Sequence, residues 1–165
     1  MAENRKQSSR RFVPEIPEDL NERPGVFIGV DYGDSRTGIA YCPEGTRLSV
    51  PFTVIDSTRG RKKTAADVCA LVKELGAKAC VIGYPLNMDG SSGPRIVRTE
   101  IFARELDGLF KAEGISCALI FQDERLTSKS AEEDMIYMDV SSRRKGILDQ
   151  IAAAIILQSY IDCIN

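Results

Sequence analysis

The order of the apolar segments constrains the fold of this chain most. Three short apolar runs, Val26–Asp31, Thr37–Cys42 and about Leu48–Ile55, follow one another and are joined by glycine-containing turns. Such runs predict an antiparallel meander of three strands. Helical periodicity and short apolar runs then alternate towards the carboxyl end. This order predicts an α/β fold in which helices pack on a mixed sheet.

The second half of the chain predicts two further strands among its helices. Strands are expected over Ala79–Gly83 and Cys117–Phe121, and a capping-box pattern over Ser130–Glu133 predicts a short helix. Three longer helices are expected from about Thr64 to Leu75, from Pro94 onward and from about Ile147 to Asp162. The apolar stripe of the middle helix is expected to consist of Val97, Ile101, Phe102, Leu106 and Leu109.

The composition predicts one folded domain. A length of 165 residues suits a single domain, which we expect to span residues 25–165, and the polar, proline-interrupted residues 1–24 are predicted to be a disordered tail. No segment resembles a membrane span or a secretion signal, and the five cysteines form no C-x-x-C pair. We therefore expect a cytoplasmic protein with reduced thiols and no membrane partner.

Histidine is absent from the sequence, and this absence limits the chemistry. It excludes histidine general bases, Ser-His-Asp and Cys-His arrangements, and histidine metal ligands. Any catalysis must depend on carboxylates, amines, hydroxyls or a metal ion.

Acidic side chains occur where apolar segments end or begin. Asp31 ends the first strand, Asp123 and Glu124 follow the last strand, and Asp149 opens the final helix. A buried acid is costly unless something compensates its charge, and clustered carboxylate oxygens suit Mg²⁺ or Mn²⁺. Each acid also has a structural explanation: a turn aspartate, a solvated strand end, or an acid favoured by the helix dipole.

Basic residues suggest a nucleic-acid partner, although the net charge of −2 and the pI near 5.3 are unusual for a non-specific binder. Two clusters of basic residues could contact a phosphate backbone, or could simply be solvated loops. The expected contacts are Arg36, Asn87, Arg125, the first cluster (Arg59, Arg61, Lys62, Lys63) and the second cluster (Arg143, Arg144, Lys145).

Four motifs in the same order resemble those of the YqgF/RuvX family. They are Val30–Ala40 (VDYGDSRTGIA), Gly83–Gly90 (GYPLNMDG), Asp123–Thr127 (DERLT) and Lys145–Asp149 (KGILD). The resemblance covers about residues 25–163, and four ordered motifs are far more specific than one. It implies an RNase H-like fold, a mixed sheet with helices on both faces.

The resemblance also implies a function. Family members are described as Holliday junction resolvases and as nucleases that mature the small-subunit ribosomal RNA precursor. Asp31, Glu124 and Asp149 are then the acids that hold Mg²⁺ or Mn²⁺ for two-metal hydrolysis, with Asp123 beside them. The expected substrate is structured RNA or branched DNA, and junction cleavage would suggest a homodimer. The sequence differs in one point from the general RNase H pattern, in which the second acid lies on the strand after the first helix. Here that strand, Ala79–Gly83, carries no acid, so the second acid must come from the next strand end.

Two other functions remain open at this point. The chain could be a non-catalytic module that binds nucleic acid or ribosome assembly factors. Asp31, Gly33 and Thr37 also resemble the first phosphate loop of actin-like ATPases, although those proteins need two lobes and 165 residues supply one.

Overall fold

The structure, a computed structural model, describes residues 12–86, 89–90, 93–124 and 142–164, without the side chains of Ser142 and Arg143. Its strands are β1 (Val26–Asp31), β2 (Arg36–Cys42), β3 (Val50–Asp56), β4 (Ala77–Tyr84) and β5 (Ala118–Asp123). Its helices are α1 (Arg61–Leu75), α2 (Pro94–Glu113) and α3 (Ser142–Cys163), and a 3₁₀ turn covers Leu20–Glu22. No helix among the described residues is long and apolar enough to cross a membrane.

The five strands form one mixed sheet in the order β3-β2-β1-β4-β5. β1, β2 and β3 are antiparallel neighbours, whereas β4 pairs in parallel with both β1 and β5. The predicted meander and mixed sheet are therefore confirmed. This topology brings the carboxyl ends of β1, β4 and β5 to one edge of the sheet, where β2 begins and β3 ends. We call this edge the site edge and define it by Asp31, Arg36, Asp56, Tyr84 and Asp123.

Both faces of the sheet are covered by helices, as predicted. Successive side chains of a strand point to opposite faces. Ile28 and Val30 of β1 accordingly pack into a core with residues of α1 and α2. On the opposite face, Ala79 and Val81 of β4 pack with residues of α3. The two separate cores fix α3 on one face of the sheet and the pair α1–α2 on the other.

The buried stripe of α2 differs from the prediction. Its inward-facing residues are Ile96, Thr99, Phe102, Ala103, Leu106 and Phe110. Val97 and Ile101 were expected in this stripe but are 55% and 37% exposed. Apolar residues occur on two overlapping sides of this helix, and only packing against β4 and α1 decides which side is buried.

α3 begins at Ser142, five residues before the predicted start. Asp149 is therefore the eighth residue of α3 and not part of its first turn, so the prediction that it opens the helix is wrong. The first turn contains no acid. Since the dipole effect fades within one turn, it does not explain Asp149. The predicted helix after Ser130–Glu133 lies outside the described residues.

The described part of the amino-terminal segment contacts the domain. The ring of Phe12 lies edge-on to Phe121 at 6.2 Å between centroids, Leu20 is 2% exposed, and Arg23 donates a hydrogen bond to Ser116 Oγ at 3.4 Å. Residues 12–23 therefore run along β5 from its carboxyl end towards its start. The domain boundary at residue 25 stays a prediction.

Candidate active site

Asp31 ends β1 at the site edge, and the turn after it is fixed against α2. The ring of Tyr32 stacks on Phe102 at 4.2 Å between centroids and 8° between planes. Arg98 of α2 pairs with Asp34 at 2.6 Å. Two different contacts therefore hold the turn that follows Asp31 against α2.

Asp149 reaches the same place because α3 lies directly on β2. Gly38 is the cross-strand partner of Asp31, and a Cβ atom at Gly38 would lie 1.9 Å from the carbonyl oxygen of Asp149. Only glycine permits this approach. The sequence motif around Gly38 is thus what allows an acid on a helix to sit beside an acid on a strand.

Glu124 follows β5 and lies beside the glycine that ends the apolar part of β4. A Cβ atom at Gly83 would lie 3.2 Å from Glu124 Cδ and 3.3 Å from its Oε1. β4 carries no acid, as the sequence showed, and the missing side chain at Gly83 provides the space that the Glu124 carboxyl group fills. Glu124 is 7% exposed.

The three acids interact electrostatically. Burial, followed by the charges of Glu124 and Asp149, raises the pKa of Asp31 to about 7, against a smaller opposing effect of Arg95. Burial also raises the pKa of Glu124, with Arg95 opposing and Asp123 adding to the rise. Two acids from distant parts of the chain, Glu124 and Asp149, therefore act electrostatically on Asp31 at the site edge.

Arg95 is a site residue that the sequence analysis missed. Its charge acts on both Asp31 and Glu124. It is the second residue of α2, directly after Pro94. The available signal was this position, because a helix that follows a parallel strand begins at the same edge where the strand ends.

Asp149 is already paired in this structure. Arg36 Nε donates a hydrogen bond to Asp149 Oδ2 at 2.6 Å, and the two side chains are 40% and 24% exposed. The sequence analysis assigned Arg36 to nucleic acid and Asp149 to metal, and did not anticipate that they contact each other.

The donor set is of the type that Mg²⁺ and Mn²⁺ prefer, because it consists of carboxylate oxygens whose mutual repulsion a divalent ion would offset. Across the described ranges, however, no three acidic or cysteine side chains converge closely enough to hold an ion as they stand. The contact between Arg36 and Asp149 is one physical reason. The chemistry of these carboxylates nevertheless fits a divalent ion.

Asp123 is the last residue of β5 and pairs with Tyr84 of β4. Tyr84 is 8% exposed, stacks on Phe121 at 4.8 Å between centroids, and its hydroxyl makes a hydrogen bond with Glu100. This aromatic residue therefore ties β4 to β5 and α2. Asp123 is half-buried next to Glu124.

The predicted basic residues have different surroundings. Arg59 and Lys62 are exposed, whereas Lys63 pairs with Asp67 at 2.9 Å. Arg61 Nε lies 3.1 Å from Glu105 Oε1 without hydrogen-bond alignment. In the second cluster, Arg144 and Lys145 are exposed at the start of α3. Asn87, Arg125 and the Arg143 side chain lie outside the described residues.

Curated relatives match most of the chain. A protein of Ruminiclostridium cellulolyticum is 37% identical over 137 residues, which are 82% of this chain and 93% of that protein. A protein of Novosphingobium aromaticivorans is 40% identical over 144 residues, 85% of this chain and 86% of its own. Both carry the name "Putative pre-16S rRNA nuclease".

A solved structure shares the fold. The yeast mitochondrial Holliday junction resolvase Ydc2 is 11% identical, with a TM-score of 0.51 over 88% of this chain and 85% of that chain. The family model of RuvX, described as Holliday junction resolvase, matches residues 25–163. These residues include β1 to α3 and all the acids at the site edge. The fold is RNase H-like, and the chain belongs to the RuvX (YqgF) family of nucleases.

Proposed function

We propose that this chain hydrolyses phosphodiester bonds in structured nucleic acid with Mg²⁺ or Mn²⁺ held by Asp31, Glu124 and Asp149. The observation that supports it best is the raised pKa of Asp31, because two of its physical causes are the charges of Glu124 and Asp149. A fold that buries an acid beside two other acids loses stability unless a cation compensates their charge.

The chain's own residues have distinct parts in this proposal. Asp31 and Glu124 lie at strand ends, where the sheet fixes their backbone, and Asp149 is fixed by the contact of α3 with Gly38. When bound, divalent ions supply a Lewis acid and lower the pKa of water. Arg95 is placed to offset negative charge on a phosphate that approaches Asp31 and Glu124. Asp123 is half-buried beside Glu124 and tunes its ionisation.

For the substrate we favour a precursor of small-subunit ribosomal RNA, because the names of the relatives above point to it. A Holliday junction is the alternative, which the family description supports. The two differ in symmetry: a four-way junction is cut at two related positions, so a homodimer would be required, whereas an RNA end needs one site.

Phosphate contacts are assigned to the basic residues around the site edge. Arg59 and Lys62 follow the end of β3, which pairs with β2 at Arg36, and Arg144 and Lys145 begin α3. Phosphate contacts of this kind orient a substrate without reading its sequence. Arg61, Lys63, Asn87, Arg125 and Arg143 remain further expected contacts.

We place this activity in the cytoplasm. All five cysteines are unpaired, as suits a reducing compartment.

One observation favours a second function, a module that binds nucleic acid without cutting it. The acids among the described residues are not yet arranged around an ion, and Asp149 is neutralised by Arg36. In that case the same surface would bind RNA, and Asp31 would not matter for any reaction.

Cleavage assays separate these functions. Precursor 16S ribosomal RNA ends and a synthetic four-way DNA junction are incubated with the protein and Mn²⁺ or Mg²⁺, beside Asp31→Asn. We expect cleavage of the RNA by the parent, none in a chelator, and none by the folded Asp31→Asn variant. Equal cleavage by parent and variant would refute the site assignment, and binding without cleavage would establish the second function.

A further inference from the structure

The contact between Arg36 and Asp149 joins a predicted phosphate ligand to a predicted metal ligand. The Nε–Oδ2 distance of 2.6 Å is that of a strong, charge-assisted hydrogen bond. Both residues lie where β2 begins at the site edge, beside the Asp31–Gly38 pair. Arg36 is therefore the cation that satisfies Asp149 when no ion is bound.

The backbone around this contact has little freedom to move. Because a Cβ atom at Gly38 would lie 1.9 Å from the Asp149 carbonyl oxygen, α3 cannot approach β2 any further. The two cores that hold α3 and β2 also oppose a shift of either element. A change in what Asp149 contacts must then come from rotation of the Asp149 and Arg36 side chains.

The contact is exposed enough to be exchanged. The Arg36 side chain is 40% exposed and that of Asp149 is 24% exposed, so water competes for both. A divalent ion between Asp31, Glu124 and Asp149 would offset the repulsion of three acids, whereas Arg36 satisfies only one of them. The ion therefore has the larger electrostatic gain.

We propose that Arg36 is a positioning residue that holds the Asp149 carboxylate in the metal-free protein and releases it to the divalent ion, after which its guanidinium contacts a substrate phosphate. This inference rests on the proposed function. It accounts for the pairing of Asp149 with Arg36, and it makes phosphate binding by Arg36 depend on metal.

The test titrates Mn²⁺ alone into the metal-free protein by calorimetry. Arg36→Gln should bind Mn²⁺ about two- to fivefold more tightly than the parent, the range expected for loss of a partly exposed ion pair. Arg36→Lys keeps the charge and should stay near the parent. In an Asp149→Asn background, Arg36→Gln should have no further effect, because the two residues act through one contact.

Arg98→Gln is the matched control. It removes an ion pair of the same 2.6 Å length at the neighbouring turn, but Arg98 pairs with Asp34 and not with Asp149. An equal gain in Mn²⁺ affinity for Arg98→Gln would assign the effect to net charge and overturn the inference. Unchanged or weaker Mn²⁺ binding by Arg36→Gln would overturn it too.

A second readout follows nucleic-acid binding to the protein with Asp31, Glu124 and Asp149 intact, in Ca²⁺ and in chelator. With Ca²⁺, Arg36→Gln should weaken binding and lower the salt dependence by about one phosphate contact. In chelator, Arg36→Gln should change neither the binding nor its salt dependence. An equal effect in chelator would contradict the proposal that Arg36 contacts phosphate only after it has released Asp149 to the ion. If the parent binds no Mn²⁺, both the inference and the proposed function are wrong. If the parent binds Mn²⁺ but the Arg36 variants do not behave as expected, only the inference is wrong.

Discussion

Gly38 of β2 lies directly beneath the backbone of Asp149, so that the smallest added side chain would come within 1.9 Å of the Asp149 carbonyl oxygen. The clash is with a backbone atom, which cannot rotate away. Gly38 also pairs with Asp31 across the sheet. This one contact therefore sets the spacing between an acid on a strand and an acid on a helix.

Gly38→Ala should lift α3 from the sheet. We expect a loss of at least about 2 kcal/mol in the free energy of unfolding, because overpacking a rigid contact forces backbone shifts. Urea denaturation measures it. Gly108→Ala is the control, since nothing lies within 4 Å of a Cβ atom there. In the interior of α2 it should raise stability by up to about 1 kcal/mol. Equal stability of the Gly38→Ala variant and the parent would contradict the contact.

Gly83→Ala should impair activity more than stability. A Cβ atom there would meet Ile156 Cδ1 at 2.6 Å and Glu124 Cδ at 3.2 Å. The tip of Ile156 can rotate, whereas Glu124 must leave its position beside β4. We expect at least about a tenfold loss of cleavage, since a displacement below 1 Å can cost that much.

The double variant Gly83→Ala/Ile156→Val separates the two contacts. It relieves the Ile156 contact and should recover stability in urea without recovering cleavage. Recovery of cleavage together with stability would show that Glu124 does not need the space at Gly83.

Asp31→Asn should stabilise the metal-free protein at neutral pH. The pKa of Asp31 is raised to about 7, so the folded state holds its proton while the unfolded state releases it above pH 4. Asp31 thus destabilises the fold increasingly from about pH 4 to pH 7, and the penalty then levels off. The Asp31→Asn variant lacks this titrating group, so its free energy of unfolding should exceed that of the parent by up to about 4 kcal/mol at pH 8. Near pH 3 the two proteins should be equally stable.

Thermal and urea unfolding in a chelator across this pH range measure the effect. A parent protein that gains stability relative to Asp31→Asn as the pH rises would have the opposite sign and would contradict the account of the acids.

Leu20→Ala tests whether the segment before residue 25 belongs to the folded unit. Leu20 is 2% exposed and packs into the core on the α3 side of the sheet. Truncation of a buried leucine typically costs about 2–5 kcal/mol. Val13→Ala is the control, because Val13 is 74% exposed. Equal, negligible losses in urea denaturation would favour the predicted tail over residues 1–24.

The sequence was sufficient for the strands of the sheet because local signals determine them. Short apolar runs and glycine-containing turns identified β1 to β3, and Asp31 and Glu124 were recognised at the ends of strands. It was insufficient for α2, where Val97 and Ile101 fit an apolar stripe as well as Ile96 and Ala103 do. Burial against neighbouring elements decided between them, and no local pattern contains that information.

The candidate site was predictable only in part, for a similar reason. The acids were identified by their positions at strand ends and by the family motifs. The contact of Arg36 with Asp149 joins residues 113 positions apart in the sequence, and it depends on how α3 crosses β2. The start of α3 at Ser142 was missed as well, because its first residues are polar and basic and show no apolar periodicity.

The affinity of the metal-free protein for Mn²⁺ tests the central claim most directly. We predict saturable binding by the parent, and affinities at least about tenfold weaker for Asp31→Asn, Glu124→Gln and Asp149→Asn taken singly, because each removes one ligand of a shared site. Mn²⁺ affinities of all three variants equal to that of the parent would show that these acids do not form one metal centre.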